Sequence, residues 1–413
     1  MAAAPPSRPP DARPRLDSID LVRGAVMVLM LLDHMRDFTH EASFTGDPLD
    51  FATTTPLLYF TRWITHLCAP TFVFLAGLGA GLQRLRGKPV AELARFLWTR
   101  GLWLVFLELT VVRGLVAFSF HPIELAQLQV IWVIGVGMIV LAALVWLPSR
   151  AVLAIGAVIA AGHNLLDRVR VPPWQGPDSP VPSALGKLWI LLHQTGAFPI
   201  AGFPSPIVLV LYPILPWIGV IALGYGCSEV YAWPAERRRA LLVGLGIAMA
   251  VAFVVLRYAG VYGDPLPWSP QADAVKTLMS FFNVQKYGPS LLYVLATLAP
   301  AMLTLGLIDG RTIAGGPGGA LVTFGRVPLF FYMLQWLTAH LCGIAITAAR
   351  GGTLAPYFMS FLEQFIMKEP VVTGGPLWLT YACWAGATVL LYFPCRWFAR
   401  VKATRRDWWL GYL

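Results

Sequence analysis

Arg23 and His34 stand eleven positions apart in the stretch Ser18-Ile-Asp20-Leu-Val-Arg23-Gly24-Ala-Val-Met-Val-Leu-Met-Leu-Leu-Asp33-His34-Met-Arg36-Asp37. On a helix that spacing is three turns plus about 20°, so both side chains leave one face, roughly 16 Å apart along the axis. A guanidinium is a ligand for phosphate or carboxylate, and an imidazole moves protons near neutral pH. Each has a carboxylate one turn away. Asp20 is placed to pair with Arg23, and Asp37 to fix the tautomer of His34. An isolated arginine near a helix end can instead snorkel to the membrane surface, and an interfacial histidine can simply cap a helix. Two such groups on one face, each with its own carboxylate, favour a site.

Other candidates follow along the chain. Arg62 and His66 share a face four residues apart and fit either a site or the membrane rim. Arg100 and Glu108, eight apart in one apolar stretch, fit a buried ion pair or a binding role. Ser280-Phe-Phe-Asn283-Val-Gln-Lys286-Tyr287-Gly-Pro289-Ser290 leads into another apolar run. A helix starting near Pro289 would have Asn283 and Lys286 beside its N-terminus, an arrangement suited to an oxyanion and also to an ordinary helix start. Arg326 suits a phosphate at the cytoplasmic face. The glycine-rich run 309–319 lacks the GKS or GKT ending of a nucleotide loop. Asp167, Arg257 and Asp309 read as rim or capping charges.

These groups must be positioned by helices in lipid. The chain has 413 residues, 57% apolar and 13% charged, with a mean hydropathy of +0.66. Soluble proteins carry about 25% charged residues, so a soluble enzyme, a disordered protein and a disulfide-stapled secreted domain are excluded. The composition predicts an all-α polytopic membrane protein, a single bundle of about ten transmembrane helices. The apolar runs fall near 18–37, 63–83, 96–117, 128–147, 151–167, 207–229, 240–259, 288–308, 322–348 and 376–398. With the N-terminus inside, Arg and Lys crowd the connections on that side (Arg84, Arg86, Lys88 and Arg95; Arg237, Arg238 and Arg239; Arg400, Lys402, Arg405 and Arg406). That asymmetry predicts N- and C-termini in the cytoplasm. It also accounts for the net charge of +10 without nucleic acid.

The expected organisation is a disordered cytoplasmic tail over 1–16, a transmembrane domain over 17–398 and a basic cytoplasmic tail over 399–413. The proline-rich start lacks the apolar core of a signal peptide. Outer connections near 38–62, 168–206 and 260–287 are long enough to be functional, and 350–375 reads as an interfacial helix. Five cysteines without a CxxC pair suggest neither disulfides nor a metal. The abundance of Ala, Gly, Pro and Arg is that of a GC-rich bacterium, which points to the inner membrane.

The opening Leu16-Asp-Ser18-Ile-Asp20-Leu-Val-Arg23-Gly24, with His34 beyond it, resembles the transmembrane acyltransferase superfamily. Asp33-His34-Met-Arg36-Asp37-Phe38, Ala69-Pro70-Thr-Phe-Val-Phe-Leu-Ala-Gly77, Asn283-Val-Gln-Lys286-Tyr287 and Phe324-Gly-Arg326-Val-Pro328 resemble a bacterial family related to heparan-α-glucosaminide N-acetyltransferase. The resemblance covers all the predicted spans. It implies an acetyltransferase that takes acetyl groups from cytoplasmic acetyl-CoA to an amine or hydroxyl of a sugar or glycan on the far side, without a metal. The lysosomal enzyme is similar at Arg23-Gly24 but has Asn where His34 stands, and uses a histidine of its first luminal loop. The base is therefore His34 or His40, with His34 favoured and Asp37 beside it. Asp20, Arg23, Arg100 and Arg326 are the expected donor-binding residues, and Arg62, His66, Asn283 and Lys286 the expected acceptor-binding residues. A transporter or flippase, whose intramembrane charges would line a path, is the competing class. The acceptor's identity and a homodimer are left open.

Overall fold

The stretch carrying Arg23 and His34 folds as helix α1 (Asp17–Thr39). Its 23 residues extend about 35 Å, enough to cross a hydrocarbon core of about 30 Å. The computed structural model describes residues 16–42, 46–119, 125–201, 205–359, 372–405 and 407–413. After α1 come α2 (Pro56–Ile64) and α3 (Cys68–Leu85), fused through a tight turn at Thr65–Leu67. Helix α4 (Val90–Leu107) runs through a π turn at Glu108–Val112 into α5 (Arg113–Ala117). Then follow α6 (Val130–Leu144), α7 (Ser149–Gly162), α8 (Ala184–Leu192), α9 (Ile214–Cys227), α10 (Ala235–Ala259) and α11 (Ala274–Phe282). Helices α12 (Leu291–Ile308), α13 (Gly316–Arg326), α14 (Pro328–Ala349) and α15 (Leu377–Thr404) complete the bundle.

Among the described residues, seven helical segments are long and apolar enough to cross a membrane: Pro56–Leu85, Ser149–Arg168, Ile214–Ala232, Ala235–Ala259, Leu291–Ile308, Pro328–Ala349 and Leu377–Thr404. Helices α10 and α15 leave rows of large apolar side chains uncovered, among them Val251, Val254, Val255, Phe393 and Trp397. Patches of that kind are shed by soluble monomers and kept where lipid covers them.

Proline redraws two predicted spans. The run 207–229 splits: Ile207–Val210 is a strand, and α9 starts only after Pro213. The run 322–348 breaks at Val327 (φ −131°, ψ 51°), because the residue before Pro328 is pushed out of the helical region. The all-α expectation also misses a small sheet, β1 (Leu125–Leu128), β2 (Gly196–Pro199) and β3 (Ile207–Val210) in the order β1-β3-β2. Strand β1 runs parallel to β3 with Leu125 opposite Ile207, and β2 antiparallel to β3 with Gly196 opposite Val210. These segments follow helix ends, where backbone groups need partners from elsewhere. Most of the predicted interfacial helix, with Glu363, Lys368 and Glu369, lies outside the described residues.

Helix α1 is the centre of the packing, touching α3, α12, α13, α14 and α15. Its final carbonyls are taken up by neighbours: Tyr357 Oη donates to Phe38 O (2.8 Å) and the Gly375 N–H to Thr39 O (2.8 Å). Against α13 it approaches backbone to backbone. A Cβ on Gly24 would sit 1.8 Å from the Leu321 carbonyl oxygen, and one on Gly325 1.8 Å from that of Asp20. Gly24→Ala and Gly325→Ala are therefore each expected to lower stability by about 1–3 kcal/mol, the usual cost of overpacking a tight contact. Gly244→Ala on α10, where a Cβ would meet nothing within 4 Å, is the matched control and should leave the melting temperature in detergent unchanged.

Candidate active site

At the N-terminal end of α1, α1 and α13 present a small charge cluster. Arg23 Nη1 donates to Asp20 Oδ1 (3.2 Å) and to the Gly325 carbonyl (3.0 Å). Arg326 Nη2 reaches Asp17 (3.2 Å), and its Nε lies 3.7 Å from Asp20. Asp20 thus holds two of the predicted arginines in place. Both line a cavity of about 320 Å³ that also receives Arg100 from α4 and Lys402 from α15. The segment 408–413 folds across this mouth: Arg100 donates to the Gly411 carbonyl, and Lys402 Nζ to Leu413 O (2.6 Å). Further in, the wall becomes apolar, with Met27, Met30, Leu104, Ile131 and Met138, before Tyr332.

Arg100 and Glu108 do not pair. The π turn carries Glu108 to the start of α6, where its carboxylate accepts from the Trp132 N–H (3.0 Å) and caps that helix. Arg257 and Asp309, which read as rim or capping charges, are both buried, and Arg257 caps a helix end. Arg257 is buried and donates to the carbonyls of Phe281, Leu266, Ser280 and Asn283 at the end of α11. Asp309 is fully buried and accepts from Arg238 at 2.6 and 2.9 Å. Helix ends concentrate unpaired carbonyls and attract such cations.

At the other end of α1, charges converge on one buried carboxylate. Arg62 Nη1 lies 2.5 Å from both oxygens of Asp33, Arg36 Nη2 3.1 Å from Oδ1 and Lys286 Nζ 3.7 Å from Oδ2. Arg62 also donates to Tyr287 Oη (3.0 Å). Two predicted acceptor-binding residues, Arg62 and Lys286, therefore meet at Asp33. His66 is buried one turn below Arg62, with neither ring nitrogen hydrogen-bonded among the described residues. Asn283 contributes its backbone, the carbonyl receiving Arg257. The loop that brings Lys286 and Tyr287 inward is tied by Asp264, which accepts from the Gln285 N–H (2.9 Å) and Ser290 Oγ (2.6 Å). Burial pushes the Asp264 carboxyl above the usual carboxylate range, against the pull of these hydrogen bonds and of Arg257.

His34 lies on the adjacent face of α1. Its ring lies on Trp336 of α14, centroids 3.6 Å apart, with Nδ1 3.6 Å from Asp37 Oδ2. That separation exceeds a hydrogen bond, and Asp37 instead accepts from Arg36 at 2.5 Å. His34 does not line the cavity, but Met30, which does, is one turn before it on the same face. On α14 the cavity residue Tyr332 likewise stands one turn before Trp336, and between them Gln335 is fully buried with neither amide atom hydrogen-bonded among the described residues. His40 closes α1 and is occupied locally, Nδ1 accepting from the Ala42 N–H (3.2 Å). Burial pushes its imidazole below the usual histidine range, Glu41 opposing and Arg36 reinforcing.

Of Asp20, Arg23, Arg100 and Arg326, expected to bind the donor, the three arginines line one cavity, and Asp20 contacts two of them without lining it. Sequence reasoning passed over Asp33, Tyr287 and Trp336. Asp33 carried a signal, since a carboxylate at lipid depth demands partners. Trp336 carried none, because an aromatic on an apolar helix is indistinguishable from packing.

A family model described as heparan-alpha-glucosaminide N-acetyltransferase, catalytic, matches residues 15–258, more than half of the chain. The match includes Arg23, Asp33, His34, Arg62 and Arg100, whereas Lys286, Arg326 and Trp336 lie beyond it. No curated protein matches the chain.

Removing one member of a buried ion pair typically costs about 3–5 kcal/mol. Asp33→Asn, which keeps the volume and removes the charge that Arg62 and Lys286 share, should therefore melt far below wild type in detergent. The double variant Asp33→Asn/Arg62→Met should recover part of that loss. Equal melting of wild type and Asp33→Asn would show that the cluster is solvated.

Proposed function

The chain belongs to the heparan-α-glucosaminide N-acetyltransferase family, and on that footing we propose that it moves an acetyl group from cytoplasmic acetyl-CoA to an amine or hydroxyl of a sugar beyond the membrane. In this reading ten helices span the bilayer, α1, α4 and α6 joining the seven apolar segments, with both termini in the cytoplasm of a bacterium and the bundle in its inner membrane.

The observation that carries the proposal is the basic-mouthed cavity on the Arg23 face of α1. A volume of about 320 Å³ is at the small end of ligand cavities, and whole CoA is too large for it. The nucleotide and its phosphates belong at the mouth, against Arg23, Arg100, Arg326 and Lys402, while the pantetheine arm occupies the apolar interior. The arm then points along the Met27–Met30 face toward His34 and Trp336. The segment 408–413 shares the mouth and must make room for the donor.

Acetyl transfer requires the acceptor nucleophile to attack the thioester carbonyl, with its proton removed and the CoA sulfur leaving. His34 takes that proton and returns it to the departing thiolate, a role that contributes about 10²–10⁴-fold. Packing on Trp336 holds the ring in one plane, and Gln335 supplies an amide N–H for the developing oxyanion. The cluster of Asp33, Arg62, Lys286 and Tyr287 lies on the adjacent face of α1 and orients polar groups of the acceptor.

Acetyl-CoA should raise the melting temperature of the detergent-solubilised protein, which a transporter of unrelated cargo would not show. Transfer to an amino sugar should fall by about 10² or more in His34→Ala. Arg23→Ala and Arg326→Ala should each raise the KM for acetyl-CoA about tenfold, the equivalent of one charge-assisted contact. A folded His34→Ala protein that transfers acetyl at the wild-type rate would move the base to His40.

A further inference from the structure

Away from α1, helix α7 tightens at its end into the turn His163–Arg168, and α8 ends against it at His193. One ring nitrogen from each of His163 and His193 and one carboxylate oxygen of Asp167 all lie within 4.8 Å of one another. His163 is 4% exposed, and neither of its nitrogens makes a well-formed hydrogen bond among the described residues. The Pro289 backbone makes a looser polar contact with the ring, which replaces only part of the hydration that a buried imidazole loses.

The surroundings orient all three groups. Asn164 Nδ2 donates to Asp167 Oδ2 (2.8 Å), leaving Oδ1 turned toward His193 Nε2 at 3.7 Å. The same Nε2 is 2.9 Å from the His163 carbonyl, and the His193 ring lies on Trp189 with centroids 5.2 Å apart. Outer partners of this kind, a carbonyl behind an imidazole and an amide behind a carboxylate, are what fix ligands around transition metals. A cavity of about 470 Å³, lined by Asp167, His193, Arg170, Gln194 and Gln285, opens beside the cluster.

We propose that His163, Asp167 and His193 bind one divalent transition-metal ion of the zinc class, with an open coordination position toward this cavity. Two imidazoles and one carboxylate are borderline donors of the type zinc selects, and three protein ligands are the number found where a position is kept open. Zinc bonds of about 2.0–2.1 Å bring tetrahedral ligands to roughly 3.4 Å from each other. Small side-chain rotations close the present spacing to that value. Either His193 keeps its bond to the His163 carbonyl and coordinates through Nδ1, or it releases that bond and coordinates through Nε2. The ion ties the end of α7 to the end of α8. Through Asn164 Oδ1, which accepts from the Leu291 N–H (2.9 Å), it also steadies the start of α12 just after the loop bearing Lys286 and Tyr287.

The test uses full-length protein purified in detergent on a tag without histidine, stripped with EDTA and re-buffered. Elemental analysis after loading with Zn²⁺ should find one equivalent per chain, and Co²⁺ should give the visible bands of a low-coordinate nitrogen and oxygen site. Zn²⁺ should also raise the melting temperature. His163→Ala and His193→Ala should lose the bound equivalent, the Co²⁺ bands and the Zn²⁺-dependent rise. Should either fail to fold, Asp167→Asn, with its similar volume, should weaken Zn²⁺ binding at least tenfold. Absence of a stoichiometric equivalent in wild type, or its retention in the folded variants, overturns the proposal. None of these readouts involves acetyl transfer, so their failure leaves the acetyltransferase reading untouched.

Discussion

A carboxylate buried in a protein is kept charged by cations brought to it, because little water is there to screen it. Asp33 draws Arg36 from its own helix, Arg62 from α2 and Lys286 from the loop ahead of α12. Three separate parts of the chain are thereby fixed around one point. Such a cluster adds little net stability over well-packed apolar groups. Its effect is to specify which segments meet, and here they meet on the helix that also bears His34. The 260–290 connection buries Met279 and Val284 and packs Phe282 on Trp63 and Phe253. Lys286 adds an electrostatic contact, and Arg257 and Asp264 fasten its ends.

The bundle is polar at both ends of α1 and apolar between them. The N-terminal end has arginines held by carboxylates and backbone carbonyls, with a cavity beside them. The other end has an imidazole against an indole, flanked by the Asp33 cluster. Between lie Met27 and Met30, flexible side chains that adapt to an extended arm. An acyl donor made of a charged nucleotide, a slender linker and a thioester has the same order of chemistry.

The helices were legible because a lipid-facing helix must be apolar over its whole length, which leaves a signal in every residue. The cavity arginines were legible for a related reason, each charge in an apolar run needing an explanation. Partners supplied by distant segments were not. The spacing of Arg100 and Glu108 suggested a pair, yet a π turn and the start of α6 gave Glu108 backbone N–H groups instead. Asp309, which read as a rim or capping charge, ends α12 and is buried against Arg238 of α10. The split at Pro213 and the break at Val327 were available in principle, since proline restricts the residue before it, but the apolar run concealed them. His163, Asp167 and His193 come from segments joined only by tertiary packing, and no local pattern announces them.

The glycine seam between α1 and α13 carries one further consequence. Helices touching backbone to backbone cannot slide past each other without collision, and α1 is itself a stiff rod. The span from guanidinium to imidazole is therefore a fixed ruler, unlike the adjustable gap between two rocking halves. On the proposed function, a donor anchored at one mark must be of the right length to reach the other, so that it would be gauged by reach as well as by charge.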